Sequence, residues 1–256
     1  MKLYFGTMGW SYPDWRGPFY ALGTPDTRLL AEYTKVFDAI ELDTTFYAPP
    51  KEITLTQWDR QTPTGFKFSA KVPKLVTHER RLVGPASVKE ARDFATLMQA
   101  GLGEKLGRLV LQLPPDFGPD ELRNLLIFAD GLAEHAFPLT VELRESGWQQ
   151  TEIASQLTER GMQLATTDRV AVPGATLTYL RLLGEENSVE RFDQRVILKD
   201  TELDHWAELL KNATGPVYVH VRNYYEGHAP ATLFELRKRL SLSLPTPPGQ
   251  QQMSLF

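Results

Sequence analysis

The chain has 256 residues, of which 42% are hydrophobic and 23% charged, and a formal net charge of −4. This is the composition of a soluble globular protein with one large domain or two small ones, without the global basic excess of a nucleic-acid binder. With no cysteine there are no disulfides and no cysteine-ligated zinc, which fits a reducing compartment.

The N-terminal MKLYFG enters a strand-like run without the long apolar core of a signal peptide. No apolar run is long enough to span a membrane, so a cytoplasmic location is expected. Strands are predicted at 3–8, 39–43, 66–72, 108–113, 139–144, 163–168, 177–183 and 216–222. Apolar residues at three- and four-residue spacing predict helices over 26–37, 86–100, 120–135, 151–160, 201–211 and 231–240. Eight strands with helical returns in about 250 residues match a TIM-type (β/α)8 barrel. The barrel is predicted over residues 1–243, irregular around strands 6–8, where 170–176 is too short for a full helix and 184–199 has no clear pattern. No glycine-rich loop follows the first strand, which argues against a doubly wound dinucleotide-binding sheet. From Leu244 onward, LPTPPGQQQMSLF has too little apolar content to build a core, and a flexible tail over 244–256 is predicted.

Alternation along each strand separates a helix-facing from an axis-facing set. In the second strand Glu41 and Asp43 share one face, opposite Ile40 and Leu42. The same period sends Lys71, Gln112, Glu142, Arg144, Arg181, His220 and Arg222 toward the barrel axis. Barrel enzymes place their sites at strand C-terminal ends, where Asp168 is also expected. The candidate acid, base or catalytic carboxylate and imidazole groups are therefore Glu41, Asp43, Glu142, Asp168 and His220. Candidate ligand-binding residues are Trp10, Tyr12, Tyr47, Lys71, His78, Gln112, Arg144, Trp148, Arg181, Arg222 and Asn223. A network of ion pairs that fills the barrel without chemistry is the competing reading. The catalytic set has the chemistry of a divalent-ion site, but no spacing motif such as HExxH indicates one, and the cofactor stays unknown. Residues 67–82 carry five Lys/Arg against one Glu, the densest basic stretch, suited to phosphate contacts or to a solvated surface.

Six ordered segments, GTMGWSYPDWRGPFY, FDAIELDTTFYAPP, GFKFSAKVPKLVTHERRL, LGRLVLQLPPDF, LTVELRESGW and TYLRLLG, resemble the YecE-like family, domain of unknown function 72. The resemblance covers the chain up to the tail and implies a TIM-type barrel, but no particular reaction. It maps the family's mouth motifs onto Gly9, Trp10, Tyr12, Glu41, Phe46, Tyr47, Lys71, Thr77, His78, Gln112, Pro114, Glu142, Arg144, Trp148, Asp168 and Arg181. Leu183 stands where the family usually has histidine, with His220 or His228 as replacements.

The last five residues resemble the bacterial sliding-clamp-binding pattern, with Gln252 setting register and Met253, Leu255 and Phe256 as apolar anchors. The expected function is an enzyme processing nucleic acid or another phosphodiester, recruited to DNA by this tail. A sugar or sugar-phosphate isomerase or hydrolase and a non-catalytic clamp-associated adaptor are the alternatives.

Overall fold

Nine strands of one sheet, with helices between them, make an α/β barrel of the TIM type in the computed structural model, which describes residues 2–150 and 152–251. The strands are β1 (Leu3–Met8), β2 (Ala39–Leu42), β3 (Lys67–Lys71), β4 (Leu106–Gln112), β5 (Leu139–Glu142), β6 (Gln163–Leu164), β7 (Thr166–Thr167), β8 (Tyr179–Leu182) and β9 (Val217–Val221). The helices are α1 (Leu29–Tyr33), α2 (Glu52–Gln61), α3 (Gly84–Leu102), α4 (Leu122–Asp130), α5 (Ala154–Thr158), α6 (Asp200–Lys211), α7 (Ala229–Arg239) and α8 (Pro248–Gln251). Among the described residues no helix is long and apolar enough to cross a membrane.

The chain forms two compact units. The first takes in the chain up to Glu41, Gln61–Phe66 and the chain from Leu180 on; the second takes in Leu42–Arg60 and Lys67–Tyr179. In the first unit β1 lies between β2 and β9, parallel to both, with Gly6 opposite Ala39 and His220 and Met8 opposite Glu41. Gly6 has to be glycine: a Cβ there would lie 2.2 Å from the Ala39 carbonyl oxygen. The Tyr33 hydroxyl joins the strands. It accepts from the Thr7 amide at 2.8 Å, donates to the Ala39 carbonyl at 3.0 Å and meets the Thr7 hydroxyl at 2.9 Å. Its burial raises its own pKa far above the ordinary range, so it stays a neutral hydroxyl. Beside it Phe19, Phe37 and Phe234 stack in sequence, Phe19 to Phe37 at 5.7 Å and Phe37 to Phe234 at 5.9 Å.

In the second unit the parallel order is β6-β5-β4-β3. Lys71 pairs with Val110, and Gln112 with Glu142, so this register sets three polar strand ends side by side. Helix α3 buries Ala91, Phe94, Ala95, Met98 and Leu102 on its apolar stripe.

Several expectations differ from the observed elements, among them the sixth strand, which is broken at Ala165 into β6 and β7. Strand β2 stops at Leu42 because Asp43 already has helical dihedrals (φ −75°, ψ −29°) and opens the 3-10 turn Thr44–Phe46. Asp43 therefore does not continue the alternation with Glu41. Helix α2, which follows Pro49 and Pro50, lies where no helix was predicted. The helix expected over 26–37 is a 3-10 turn, Asp26–Arg28, followed by the five-residue α1. Within the expected tail, α8 is held in place: the Gly249 amide donates to the Phe19 carbonyl at 2.9 Å, and Pro248 is buried. Gly249 fits because a Cβ there would meet the Tyr20 backbone at 3.0 Å. Gln252–Phe256, the clamp-like motif, lie outside the described residues.

Replacing Tyr33 with Phe leaves the Thr7 amide and the Ala39 carbonyl buried without their partner. Urea denaturation should show Tyr33→Phe less stable by about 1–3 kcal/mol, the usual cost of an unmade buried hydrogen bond.

Candidate functional site

In the second unit, Lys71, Gln112 and Glu142 close three adjacent parallel strands at their C-terminal ends. Glu142 is 1% exposed. Its Oε1 accepts from Gln112 Nε2 at 3.1 Å and lies 3.8 Å from Arg144 Nε. The Gln112 amide thus fixes the carboxylate's rotamer, and Arg144 supplies the compensating charge a buried carboxylate requires. Lys71 Nζ stands 2.7 Å from Asp43 Oδ1 and 6.0 Å from the centre of the Phe46 ring. The Thr45 hydroxyl, bonded to the Lys71 carbonyl at 2.8 Å, ties the 3-10 turn after β2 to the end of β3.

His78 comes from the π-helical turn Leu75–Glu79 that follows β3. Its Nδ1 meets the Thr77 hydroxyl at 2.9 Å, and its ring packs edge-on against Phe46 at 4.9 Å. Burial lowers its pKa, the neighbouring Arg144, Lys71 and Arg81 lower it further, and Asp116 partly opposes them. His78 is thus a half-buried imidazole whose surroundings favour its neutral form.

The other expected residues of this unit are arranged differently. Trp148 is fully buried; its indole donates to the Phe117 carbonyl at 2.8 Å and stacks on the Phe117 ring. Tyr47 is 73% exposed beside Phe46. Asp168 follows β7 and is half-buried. The basic stretch is largely neutralised. Lys67 donates to the Glu104 carbonyl, Lys74 pairs with Glu79 at 3.2 Å, and Arg80 lies 3.6 Å from Glu90. Arg81 clamps both Asp116 and Glu121.

In the first unit Glu41 and Arg181 are both fully buried and joined by two hydrogen bonds, Nε to Oε2 at 3.0 Å and Nη2 to Oε1 at 2.6 Å. His220, also fully buried, feels both charges. Tyr12 donates to the Met8 carbonyl at 2.5 Å, and the Trp10 carbonyl accepts from Tyr20 at 2.8 Å. Asn223 accepts from the Trp15 indole at 3.2 Å and from the Ala229 amide at 3.0 Å, which ties the loop after β9 to the start of α7. Arg222 pairs with Glu186 at 3.0 Å and lies over the Tyr224 ring. Sequence reasoning missed Phe192, which fixes the 184–199 loop: its amide donates to Asp14, its carbonyl meets His228 Nδ1, and its ring packs on Tyr12 and Tyr224. A lone aromatic in an irregular segment carries no periodic signal. Among the described residues no group of three or more His, Asp or Glu is placed to hold a metal ion.

Residues 4–253 match the family described as "Protein of unknown function DUF72". The chain belongs to this family. The UPF0759 protein YecE of Escherichia coli K12 is 32% identical over 171 residues, 66% of this DUF72 chain and 58% of YecE, so the match spans less than two thirds of that relative. A DUF72 family protein of Thermotoga maritima superposes with a TM-score of 0.74 at 24% identity, over 94% of this chain and all of that one. Two further structures share the fold alone. SacUVDE has a TM-score of 0.56 at 8% identity, over 95% of this chain and 100% of that one; a D-tagatose 3-epimerase-like protein has 0.52 at 11%, over 98% and 99%.

Two stability measurements test this description of the buried charges. Glu41→Gln strands the Arg181 guanidinium in a dry interior and should cost about 3–5 kcal/mol in chemical denaturation. The double replacement of Glu41 and Arg181 by Met should cost less than Glu41→Gln alone, because it leaves no uncompensated charge. For His220, burial depresses the pKa from 6.5 to about 4; Glu41 opposes this and Arg181 adds to it. The unfolded chain then binds the proton at higher pH than the folded one. The contribution is complete above 6.5 and is lost as pH falls toward 4. Denaturation midpoints across that window should fall more steeply for the native protein than for His220→Gln.

Proposed function

We propose that the barrel is an acid–base enzyme for a small, polyhydroxylated, anionic substrate such as a sugar phosphate, acting as an isomerase or hydrolase. The observation that carries this reading is Glu142, a carboxylate buried at the C-terminal end of β5 and positioned by Gln112 and Arg144. Strand ends of this kind are where barrel enzymes hold their reacting groups. In this reading Glu142 takes a proton from the substrate and returns it, and His78 exchanges a proton with a substrate oxygen. Lys71 and Arg144 orient the anionic group, and Asp43 holds Lys71 in place. Glu41, engaged by Arg181, is given no proton-transfer role in this reading. The fold shared with a D-tagatose 3-epimerase-like protein is compatible with such chemistry, though it carries no residue assignment.

A thermal-shift panel of sugars and sugar phosphates should yield stabilising ligands. Those ligands should then be turned over, with solvent deuterium appearing at the reacting carbon for an isomerase or released product for a hydrolase. Glu142→Gln should lower kcat by at least about a hundredfold while ligand binding stays within about tenfold. A flat panel, or full turnover by Glu142→Gln, overturns the reading.

A second reading rests on Gln252, Met253, Leu255 and Phe256, whose pattern fits a clamp-bound peptide. Under it the protein works at replicating DNA, as a phosphodiester-processing enzyme or as an adaptor. The neutralised basic stretch adds nothing to this reading. Purified sliding clamp should bind the full chain and lose it when residues 252–256 are deleted. Incubation with nicked, abasic and single-stranded DNA then separates the enzyme from the adaptor.

A further inference from the structure

The first unit contains a polar cavity of about 280 Å³. Its walls come from three separate parts of the sequence: Lys2 before β1, the 34–38 turn after α1, and the 63–66 turn, with Arg237 of α7 reaching in. Val36, Phe37 and Phe66 form an apolar back wall. Three cationic side chains, Lys2, Lys35 and Arg237, line it, against the single carboxylate of Asp38.

Their existing partners matter. Asp38 is committed to the backbone, accepting from the Phe5 amide at 2.6 Å. Burial raises its pKa, which that bond and the nearby Arg237 and Lys2 oppose. Lys35 pairs with Glu32 at 2.7 Å. Arg237 uses Nε on the Ser243 carbonyl at 3.1 Å and lays its guanidinium over the Phe5 ring at 5.0 Å. Among the described residues neither Arg237 nor Lys2 has a carboxylate within ion-pair distance; Lys2 lies over the Tyr4 ring at 4.6 Å. The cavity thus holds a half-buried guanidinium and an ammonium in excess of the negative charge around them.

We propose that this cavity is a binding site for the phosphate group of a small anion. Lys2 and Arg237, from opposite ends of the chain, bring charge with no carboxylate of its own to this cavity, and the guanidinium supplies paired donors for an oxyanion such as phosphate. The volume lies at the lower end for small-molecule sites, which fits a phosphate or small phosphate ester and not a nucleic-acid strand. The apolar back wall takes the short carbon body of such an ester. The site uses none of the residues assigned to proton transfer above and stands independently of that reading.

Thermal shift and isothermal titration of the full chain with inorganic phosphate, against chloride at matched ionic strength, test the proposal. Phosphate should stabilise the native protein beyond chloride. In titration, Lys2→Gln should weaken the component at this cavity several-fold and Arg237→Gln about tenfold or more, with a smaller effect from Lys35→Gln because Glu32 already matches its charge. Lys71→Gln, at the strand-end site of the second unit, should leave that component intact. Should Arg237→Gln fail to fold through loss of its packing on Phe5, the two exposed lysine variants carry the test. No response beyond chloride overturns the proposal. So does a response lost in Lys71→Gln but kept in the Lys2→Gln, Lys35→Gln double variant, which assigns phosphate to the strand-end site instead.

Discussion

A carboxylate and a guanidinium that both have zero solvent exposure, Glu41 and Arg181, set the terms for the first unit. Removing each ion from water costs several kcal/mol, and mutual attraction offsets this only with good geometry. The two parallel hydrogen bonds supply that geometry. Their alignment requires β2 and β8 to present these residues at fixed heights. The Gly9 amide bonded to the Glu41 carbonyl at 3.0 Å and the pairing of Met8 with Glu41 hold one of those heights. Glycine at position 6 then lets β1 and β2 approach backbone to backbone. A residue that reads from sequence as a spare acid is thereby fully occupied, and His220 beside it is kept neutral by the same dryness.

The second unit distributes its charges differently. Its carboxylate at the strand end is held by an amide donor and, at longer range, a guanidinium. That arrangement fixes the orientation of Glu142 at the end of β5.

Period-two alternation made Lys71, Gln112 and Glu142 legible, because strand side chains have only two directions to take. The helices with long apolar stripes, α3 and α6, were legible for the corresponding reason. Asp43 was misplaced because alternation holds only while the backbone stays extended, and the backbone turns helical at that residue. Trp148 resembles a mouth aromatic in sequence, but its indole N–H finds a carbonyl 31 residues earlier in the chain. Partners at such separations leave no local trace. The same limit hid Phe192 and the cavity lined by Lys2, Lys35 and Arg237, whose cations come from three distant segments.

The most conspicuous charge run in the sequence shows the converse. Lys74 and Arg80 each have a carboxylate of their own and Arg81 has two, and all of these but Glu79 come from beyond the run. Polyanions are bound largely because basic side chains displace mobile counter-ions from the phosphate backbone, and the release of those ions is the entropic gain. A cation already matched by a fixed carboxylate brings that negative charge with it. Each new phosphate contact would have to break an internal pair, and the gain from ion release would be spent against it. Along 74–81 the chain acts as its own counter-ion atmosphere.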